Sequence, residues 1–455
     1  MKKFLADPAN KNESKEMLKL ATPAIIAQVA QMSMGAIDTI MAGNLSTSAL
    51  AAISVGSNLF VPLLVFSMGI IMSLNPLVAQ ANGAGRYNKV GEYFRHGIYI
   101  AIVVAIPTIF LMYQLKVLMQ IIGVQPSIIP VVTGYLEALA WGVIPLFLFF
   151  VLRSLNEGLF STKVIMYISL TAIPFNIALN YIFMYGYLGM PTLGAIGLGY
   201  ATSVVWCLIL TILLVYTIFT PKYKHLIFFK HFHKPQVRVF KEILKLGLPL
   251  SATIGLEVLM FGAVGLFIGR YSIETIAAHQ IAMNLSSLAY MFPLGLSVAI
   301  SARVGHAIGR HSYDGVKRAS YIGLGYSVFF SLCSIFIALL FTAQLVEIYT
   351  DQVQVIDLTI KLIYIATLFM IFDGFQVATA SALRGMKDTF VPMFLSGISY
   401  WLIGFPVGYY LAEVVQLQAA GYWFGFIAGL ATAAILLIFR LQVVLKRLAS
   451  DRSFS

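Results

Sequence analysis

Residues 18–23 read LKLATP and residues 244–249 read LKLGLP, two matching motifs that lie 226 positions apart. Three further pairs of segments keep this spacing and a fourth is shifted by one residue: AAISVGSNL (51–59) with AAHQIAMNL (277–285), SMGI (67–70) with PLGL (293–296), VAQANGAGR (78–86) with VGHAIGRHS (304–312), and NEGLFSTKV (156–164) with LRGMKDTFV (383–391). A constant spacing over distant segments indicates an internal duplication. The sequence therefore predicts two structurally similar halves.

The composition is that of an integral membrane protein. Of the 455 residues, 60% are hydrophobic and 11% are charged, and the mean hydropathy is +0.88. In an average soluble domain about a quarter of the residues are charged. With about 20 apolar residues for each spanning helix, the pattern predicts an all-α fold with twelve transmembrane helices. They are expected at residues 17–42, 50–79, 93–115, 129–152, 164–186, 194–219, 243–269, 276–307, 318–346, 356–381, 390–411 and 418–445.

The predicted helices divide into two six-helix bundles. A long basic connection, TPKYKHLIFFKHFHKPQVRVFKEILK, lies between the sixth and the seventh helix. Because each copy has an even number of helices, both copies share one orientation, which is the parallel-repeat plan of some secondary transporters, with a pathway at the repeat interface. The predicted cytoplasmic leader, N-lobe (helices 1–6), basic cytoplasmic linker, C-lobe (helices 7–12) and cytoplasmic tail are residues 1–16, 17–219, 220–242, 243–445 and 446–455.

Cationic residues lie almost entirely on one side of this topology. The leader, the central connection, the tail and the loops GAGRYNKVGEYFR, GRHSYDGVKR and LRGMKD hold nearly all Lys and Arg, whereas GNLSTS, YGYLGMPT and AEVVQLQ hold none. By the positive-inside rule, both termini are predicted to be cytoplasmic. The leader lacks a signal-peptide pattern, so no cleaved signal is expected. The net charge of +12 then reflects membrane topology, and no nucleic-acid partner is expected.

The cysteine and histidine residues do not predict a strong metal site. Cys207 and Cys333 lie in separate apolar runs and predict neither a disulfide nor a thiolate site. The HFH segment at 231–233 is interpreted as a solvated basic face, and His279 as a buried or interfacial hydrogen-bonding residue. We therefore expect no cofactor and no resident metal ion.

Three acidic residues lie deep in apolar runs, namely Asp38, Glu257 and Asp373. A carboxylate at the centre of a membrane helix costs about 2.5–3.5 kcal/mol on insertion scales. No equally deep Lys or Arg is predicted to neutralise them, which favours exchange with a mobile cation or proton. Charges near the predicted helix ends are interpreted as structural, because such side chains usually reach the membrane interface. These are Glu137, Arg153, Glu157 and Arg384.

In the first half, polar side chains accompany Asp38. Gln31 and Asp38 fall on one face of the first helix, and Asn176 and Asn180 lie one turn apart in the fifth, so that two amide oxygens can point the same way. Thr202, near the start of the sixth helix, adds a hydroxyl. This oxygen-rich set suits a hard cation or a carboxyl group that exchanges a proton. The amides and the hydroxyl could equally serve as hydrogen-bonding contacts between helices.

The second half does not copy this set. Glu257 occupies the position equivalent to Gln31, and Asp373 in the tenth helix adds a second acid. Gln376 shares a helix face with Asp373, and Phe369 lies one turn earlier. The two halves are therefore predicted to differ where the chemistry takes place.

The chain also carries, in this order, the motifs IDTIMAG, ALAAISVGSN, QANGAGR, LEVLMF, AAHQIAMN and FDGFQVATASALRGMKDT. Over nearly the whole chain they resemble the multidrug and toxic compound extrusion (MATE) family, in its bacterial NorM-like branch. The resemblance implies two six-helix bundles around a central cleft. It also implies efflux of organic cations and other amphipathic drugs, driven by inward movement of sodium ions or protons.

The resemblance assigns roles to residues at matching positions. It implies that Glu257 and Asp373 are C-lobe acids that bind cation and substrate, and that Pro23 is a bending residue. Some relatives have Tyr one turn before the second acid, where this chain has Phe369, so any contact from that hydroxyl to a cation is absent. The residues implied for an N-lobe cation site are Asp38, Asn176, Asn180 and Thr202.

The sequence therefore predicts a secondary active transporter, not an enzyme, that exports amphipathic organic cations in exchange for sodium ions or protons by alternating access. We expect lipophilic cationic drugs and dyes as substrates. We also expect a monomeric, multi-pass chain surrounded by lipid in a bacterial cytoplasmic (inner) membrane. The predicted substrate cleft contains Gln31, Glu257, Phe369, Asp373 and Gln376.

Two other functions stay open at this point. A flippase for a lipid-linked saccharide can use the same two-lobe plan, but it would favour a cationic cleft for pyrophosphate. An intramembrane enzyme would need two acids placed to activate water, and FDGF lacks the expected companion motif. An ATP-driven pump is not predicted, because the chain has no GxxxxGK[ST] loop.

Overall fold

Helices make up nearly all of the structure, a computed structural model that describes residues 7–221, 223 and 235–451. Within these ranges twelve helices are long and apolar enough to cross a membrane, which confirms the predicted all-α, multi-pass fold. They are α1 (Pro8–Leu45), α2 (Thr47–Gly83), α3 (Tyr87–Ile121), α4 (Ile129–Gly158), α5 (Thr162–Tyr185), α6 (Ala195–Phe219), α7 (Val237–Ile268), α8 (Ile273–Gly309), α9 (Tyr313–Glu347), α10 (Val353–Gly385), α11 (Phe390–Val414) and α12 (Gln418–Ser450).

Several helices begin earlier than predicted, and the extensions of α1 and α7 reach into segments that were predicted to be cytoplasmic. α1 begins at Pro8, so much of the predicted leader is helical and continuous with the first span. α7 begins at Val237, inside the predicted linker. Residues 224–234 of that linker, which include the HFH segment, lie outside the described residues. Hydropathy does not report such extensions, because a helix satisfies its own backbone hydrogen bonds whether or not its side chains are apolar.

Regular α-helical geometry is interrupted in α2, in α11 and, at Phe341, in α9. α2 is interrupted at Ser73, which separates the segments Thr47–Met72 and Leu74–Gly83. In α11, residues Ile398–Gly404 and Tyr410–Val414 are π-helical. π-Helical turns are rare and occur frequently at functional sites, and the first of these carries a residue of the site described below.

The duplication is also visible in local backbone chemistry. Ser46 and Ser272, 226 positions apart, immediately precede α2 and α8 as their N-cap residues, and their hydroxyls accept hydrogen bonds from backbone N–H groups at 3.0 and 3.2 Å. Such caps satisfy donors that the first helical turn leaves unpaired. Pro23 and Pro249 likewise occupy equivalent positions inside α1 and α7, where proline removes one backbone donor.

The tertiary contacts define two compact units. The N-unit contains the residues from Ile26 to Ser251. The C-unit contains the described residues up to Ile25 together with those from Ala252 onward. The units differ from the predicted lobes in α1 up to Ile25 and in α7 up to Ser251, because these N-terminal parts of the two helices pack with helices from the other half of the sequence. A hydropathy pattern identifies which segments span the membrane but not which helices touch, so the packing of α1 and α7 with helices of the opposite half was not predicted.

Each unit has its own apolar core. In the N-unit the core includes Phe147 of α4, which is completely buried, and in the C-unit it includes Trp423 of α12. Large apolar side chains also lie on the outer surface, for example Ile106 and Phe110 of α3. Apolar residues on both the inner and the outer face are expected of a membrane-crossing helix.

Candidate functional site

In the N-unit, two side-chain amides hold the Asp38 carboxyl group. The Nδ2 atoms of Asn176 and Asn180, both buried on α5, donate to Asp38 Oδ1 at 3.0 and 2.7 Å. Because Asn176 and Asn180 lie one turn apart on α5, both side chains reach the same carboxyl oxygen. Contrary to the sequence expectation, it is the NH₂ groups rather than the amide oxygens that point at this site, because a carboxylate can only accept hydrogen bonds.

Further oxygen atoms surround this carboxyl group. Asn180 Oδ1 is buried and has no hydrogen-bond partner among the described residues. Thr202 on α6 interacts with Asp38, and its hydroxyl lies 2.9 Å from the Leu198 carbonyl oxygen, to which it donates. Carboxylate, amide and hydroxyl oxygens are ligands that hard cations prefer. The set is therefore chemically suited to a sodium ion, and the carboxyl group itself to a proton.

Tyr135 on α4 also belongs to this cluster, and it was not predicted from the sequence. Its buried hydroxyl interacts with Ser57, and it lies close enough to Asp38 for an electrostatic interaction. Two glycines make room for its ring. A methyl group on Gly56 would come within 2.8 Å of the ring, and one on Gly199 within 3.2 Å.

In the C-unit, Glu257 and Asp373 lie in one cluster with two polar neighbours. Asp373 on α10 is only 4% exposed, and its carboxyl group interacts electrostatically with that of Glu257 on α7. Gln376 Nε2 donates to Tyr400 Oη at 2.5 Å, and both side chains form hydrogen-bonding interactions with Glu257. The structure thus brings the predicted residue Glu257 of α7 together with the predicted residues Asp373 and Gln376 of α10, and it adds Tyr400.

Tyr400 and Tyr290 are the residues of this cluster that sequence reasoning missed. The Tyr290 hydroxyl, on α8, interacts with both carboxyl groups of the cluster. Tyr400 is fully buried and lies in the first π-helical segment of α11. The next residue, Trp401, donates from Nε1 to the Leu256 carbonyl oxygen at 3.1 Å. This bond fastens the π-helical segment to α7 beside Glu257.

Gly374 lets α10 approach α9 closely beside Asp373. Ser327 Oγ donates to the Gly374 carbonyl oxygen at 2.7 Å, and a methyl group on Gly374 would overlap the Ser331 hydroxyl. Small residues at helix contacts are typical of membrane proteins, since they let two backbones approach. The missing side chain at Gly374 therefore helps to fix the position of the neighbouring acid.

Phe369 is part of the aromatic core of the C-unit. Its ring centroid lies 6.1 Å from that of Phe261, 6.0 Å from that of Trp423 and 6.3 Å from that of Phe426. Trp423 Nε1 in turn donates to His279 Nδ1 at 3.2 Å, so His279 is the buried hydrogen-bonding residue that was predicted. Contact between Phe369 and a drug stays a prediction.

Arg153 and Glu157, interpreted above as structural charges near a helix end, are buried inside the protein and paired with each other. They are 5% and 6% exposed, and Arg153 Nε lies 2.7 Å from Glu157 Oε1. Arg153 Nη1 also donates to Gln31 Oε1 at 2.8 Å. Arg384 is buried as well and donates to Ser301 Oγ at 3.3 Å. Opposite charges at positions i and i+4 of a helix face each other and can pair, and paired charges can be buried.

The three deep acids differ from Glu157 in their ion pairing. In the described part of the chain, no ion pair contains Asp38, Glu257 or Asp373. Their described partners are amides, hydroxyls and, in the C-unit, a second carboxyl group. Ionisable groups at this depth are a mark of ion and substrate pathways in membrane proteins. A duplicated bundle that carries them defines a secondary transporter.

The family model described as MatE matches residues 23–182 and residues 249–410. The two matches begin 226 residues apart, at 23 and 249, which confirms the duplication. The chain belongs to the MatE family. This result confirms both the predicted family and the predicted class, a transporter and not an enzyme.

Individual relatives support the same assignment. The chain is 38% identical over 429 residues to the multidrug resistance protein NorM of Aliivibrio fischeri, with 93% of each chain covered. It is 37% identical over 442 residues to NorM of Vibrio cholerae, covering 96% of this chain and 97% of the relative. Among solved structures, the eukaryotic MATE transporter AtDTX14 shares the fold with a TM-score of 0.88 at 21% identity, with 98% of this chain and 99% of that chain covered.

Proposed function

We propose that the chain exports lipophilic cationic drugs and dyes in exchange for sodium ions or protons by alternating access. Multidrug efflux itself is the activity that follows from the MatE family and from the NorM relatives. The observation that carries the cationic substrate and the coupling ion is the set of deep acids without a described ion pair. These acids are Asp38, Glu257 and Asp373.

In the N-unit, Asp38 is suited to bind the coupling ion. The amide donors of Asn176 and Asn180 hold the carboxyl group in place, but they are neutral and leave its net charge intact. Two unit charges 4 Å apart attract each other by about 4 kcal/mol at an effective dielectric constant of about 20, compared with about 1 kcal/mol in water. A sodium ion or proton that reaches Asp38 therefore removes most of the cost of burying its charge.

In the C-unit, Glu257 and Asp373 are suited to bind a cation that is either the drug or the coupling ion. Two carboxylates that interact with each other repel when both are charged, and a bound cation relieves this repulsion. Gln376 and Tyr400 keep Glu257 in position. If drug and coupling ion compete for this pair, and each favours a different conformation, binding of one promotes release of the other. This competition would give antiport.

We further propose that the chain works as a monomer in a bacterial cytoplasmic membrane, with both termini in the cytoplasm. The orientation is supported by the distribution of Lys and Arg, which cluster in and around the connections that follow α2, α8 and α10. The NorM relatives named above come from bacteria. A monomer is supported by the duplication, since one chain already contains both halves of the predicted pathway.

The test is the accumulation of an ethidium-like dye in a drug-sensitive bacterium that expresses the chain. We expect lower accumulation than in cells with an empty vector. Asp373→Asn, present in the membrane at the same level, is the matched control and is expected to accumulate dye like the empty-vector cells. Unchanged accumulation with the parent chain in the membrane would contradict the proposal.

A further inference from the structure

Where α7 ends and α8 begins, the C-unit carries one carboxylate among several aromatic side chains. Glu413 is exposed and lies in the second π-helical segment of α11. Its Oε1 accepts a hydrogen bond from Tyr271 Oη at 2.8 Å and another from Tyr422 Oη at 3.0 Å. Tyr271 lies between α7 and α8, and Tyr422 lies on α12. Two other parts of the C-unit therefore hold this carboxylate in place.

These hydrogen bonds do not neutralise Glu413. Phenol hydroxyls are neutral donors, and both bonds end on Oε1, so that Oε2 receives no hydrogen bond from the described residues. The ion pairs of the described residues do not include Glu413 either. A neutral acceptor would also fasten the two tyrosines, so fastening alone does not account for the charge. The charge and the second oxygen are therefore free to bind a ligand.

Aromatic rings pack beside this carboxylate. The ring centroid of Phe267, at the end of α7, lies 5.9 Å from that of Tyr409 and 6.0 Å from that of Tyr422. Phe405 packs on the same ring with a centroid distance of 5.5 Å. Tyr409 is 44% exposed, so part of this surface can be reached from outside. We refer to Phe267, Phe405, Tyr409 and Tyr422 as the aromatic cluster.

The aromatic cluster already holds one cation of the protein itself. The Arg270 guanidinium carbon lies 4.4 Å from the Phe267 ring centroid, and the Arg270 side chain is exposed. In the described part of the chain, no ion pair joins Arg270 to Glu413. Ring faces attract cations, but such contacts are weak at exposed sites. A ligand with a positive charge can therefore displace the guanidinium at a small cost.

The first half of the sequence has no counterpart of this cluster on its equivalent helix. The N-cap residues Ser46 and Ser272 keep the spacing of 226, so the register of the duplication holds at this point. Phe267, Arg270 and Tyr271 correspond at this spacing to Met41, Asn44 and Leu45. The connection between the two helices therefore needs neither a ring nor a charge at these positions, which favours a ligand over a purely structural role.

We propose that Glu413 and the aromatic cluster form a binding site for an amphipathic organic cation, separate from the deep acids. The positive charge of the ligand lies against Glu413 Oε2, and its apolar rings take the place of Arg270 on Phe267. A carboxylate beside ring faces provides both interactions that such a ligand requires. The class of ligand rests on the proposed function.

The position of this site along α11 separates it from the deep acids. Glu413 lies 13 positions beyond Tyr400, which interacts with Glu257, and this corresponds to roughly 15–20 Å along a helix. In the proposed orientation the site lies at the outer face of the membrane, because α7–α8 and α11–α12 are joined at the end opposite the cationic loops. The site therefore holds a cation on the side where the transporter releases it.

Photoaffinity labelling of the purified chain tests this proposal. The probe is ethidium monoazide, a cationic dye that bonds covalently to nearby residues on illumination, and labelled peptides are identified by mass spectrometry after proteolysis. We expect labelled peptides from the end of α7 and from α11. In Glu413→Gln, which keeps an acceptor for both tyrosines, the dye concentration for half-maximal labelling of these peptides should rise roughly tenfold. Glu347→Gln, at the exposed last residue of α9, is the matched control and should leave this concentration unchanged.

Arg270→Gln distinguishes a ligand site from a structural contact. Loss of the guanidinium removes both a competitor for Phe267 and a repelling charge, so half-maximal labelling should need roughly threefold less dye. A purely structural role predicts no such gain. Three results would each overturn the proposal: no labelling at the end of α7 or on α11, equal effects of Glu413→Gln and Glu347→Gln, or unchanged or weaker labelling in Arg270→Gln. A parent chain that is labelled at this site but does not export dye would instead refute the proposed function alone.

Discussion

Replacing Asn180 by Ala removes the shorter of the two amide hydrogen bonds to Asp38 and leaves the acid itself in place. The Asn180 bond is 2.7 Å long, compared with 3.0 Å for that of Asn176. Asn180 Oδ1 is buried without a described partner, so it is also a candidate ligand for the cation. Asn180→Ala thus loses both a donor to the carboxylate and an oxygen atom of the proposed sodium site.

The expected effect follows from the strength of a hydrogen bond to a charged group. Such a bond contributes about 1.5–3 kcal/mol, and each 1.4 kcal/mol changes an equilibrium constant about tenfold. Without the amide donor, the ionised form of Asp38 is less stable relative to its protonated form, so that sodium competes less well with protons. We therefore expect Asn180→Ala to weaken the apparent binding of sodium by roughly 10- to 100-fold.

The assay is the thermal unfolding midpoint of the purified protein, titrated with sodium chloride against choline chloride at several pH values. A ligand that binds only the folded state raises this midpoint according to its concentration relative to Kd. Asn176→Ala should cause a smaller shift in the titration. Thr171→Ala is the control on the same helix, because the Thr171 hydroxyl bonds to backbone carbonyls of α5. If Asn180→Ala responds to sodium and pH as the parent does, Asp38 is not the ion site.

Three further sets of substitutions test the deep acid Asp373, the buried ion pair of Arg153 with Glu157, and the contact of α10 with α9. Asp373→Asn keeps the side-chain shape but removes its charge, and we expect this variant to abolish dye resistance at normal expression. Asp373→Glu is expected to keep part of the resistance. An Asn variant as active as the parent would show that the acid is structural. Arg153→Met leaves Glu157 buried without its cationic partner and should lower the stability to thermal unfolding by about 3–5 kcal/mol. Adding Glu157→Leu should recover most of that loss, and no recovery would count against the pair. Gly374→Ala should destabilise the protein by about 1–3 kcal/mol, because the added methyl group overlaps α9. The control Gly325→Ala, where the methyl group meets open space, should be neutral or slightly stabilising. Equal effects of the two substitutions would contradict a close contact of α10 with α9 at Gly374.

The spans and the duplication could be predicted because both leave a direct record in the sequence. A membrane-crossing helix has to be apolar over about 20 residues, and the conserved spacing of 226 residues persists where the two halves still match. The start of α1 at Pro8 and that of α7 at Val237 leave no such record. The packing of α1 and α7 with helices of the opposite half was not predictable either, because hydropathy contains no information about which helices touch.

The acids of the site were predictable, but most of their partners were not. Asp373 stands out because a charge in an apolar run is rare. Tyr135, Tyr290 and Tyr400 do not stand out among 23 tyrosines, since only tertiary packing decides which hydroxyl faces an acid. The buried pair of Arg153 with Glu157 was not predicted; their i, i+4 spacing permits a pair, but their burial depends on the helices around them.

Dye efflux from proteoliposomes under separately imposed sodium and proton gradients tests most directly whether the deep acids couple drug export to a cation. The parent chain should expel an ethidium-like dye faster when one of the two cations flows in the opposite direction, and Asp38→Asn should lose this acceleration at equal reconstitution. The ion whose gradient accelerates efflux is the coupling ion. Dye efflux that proceeds at the same rate with and without either gradient, in the parent and in Asp38→Asn alike, would contradict cation coupling through these acids.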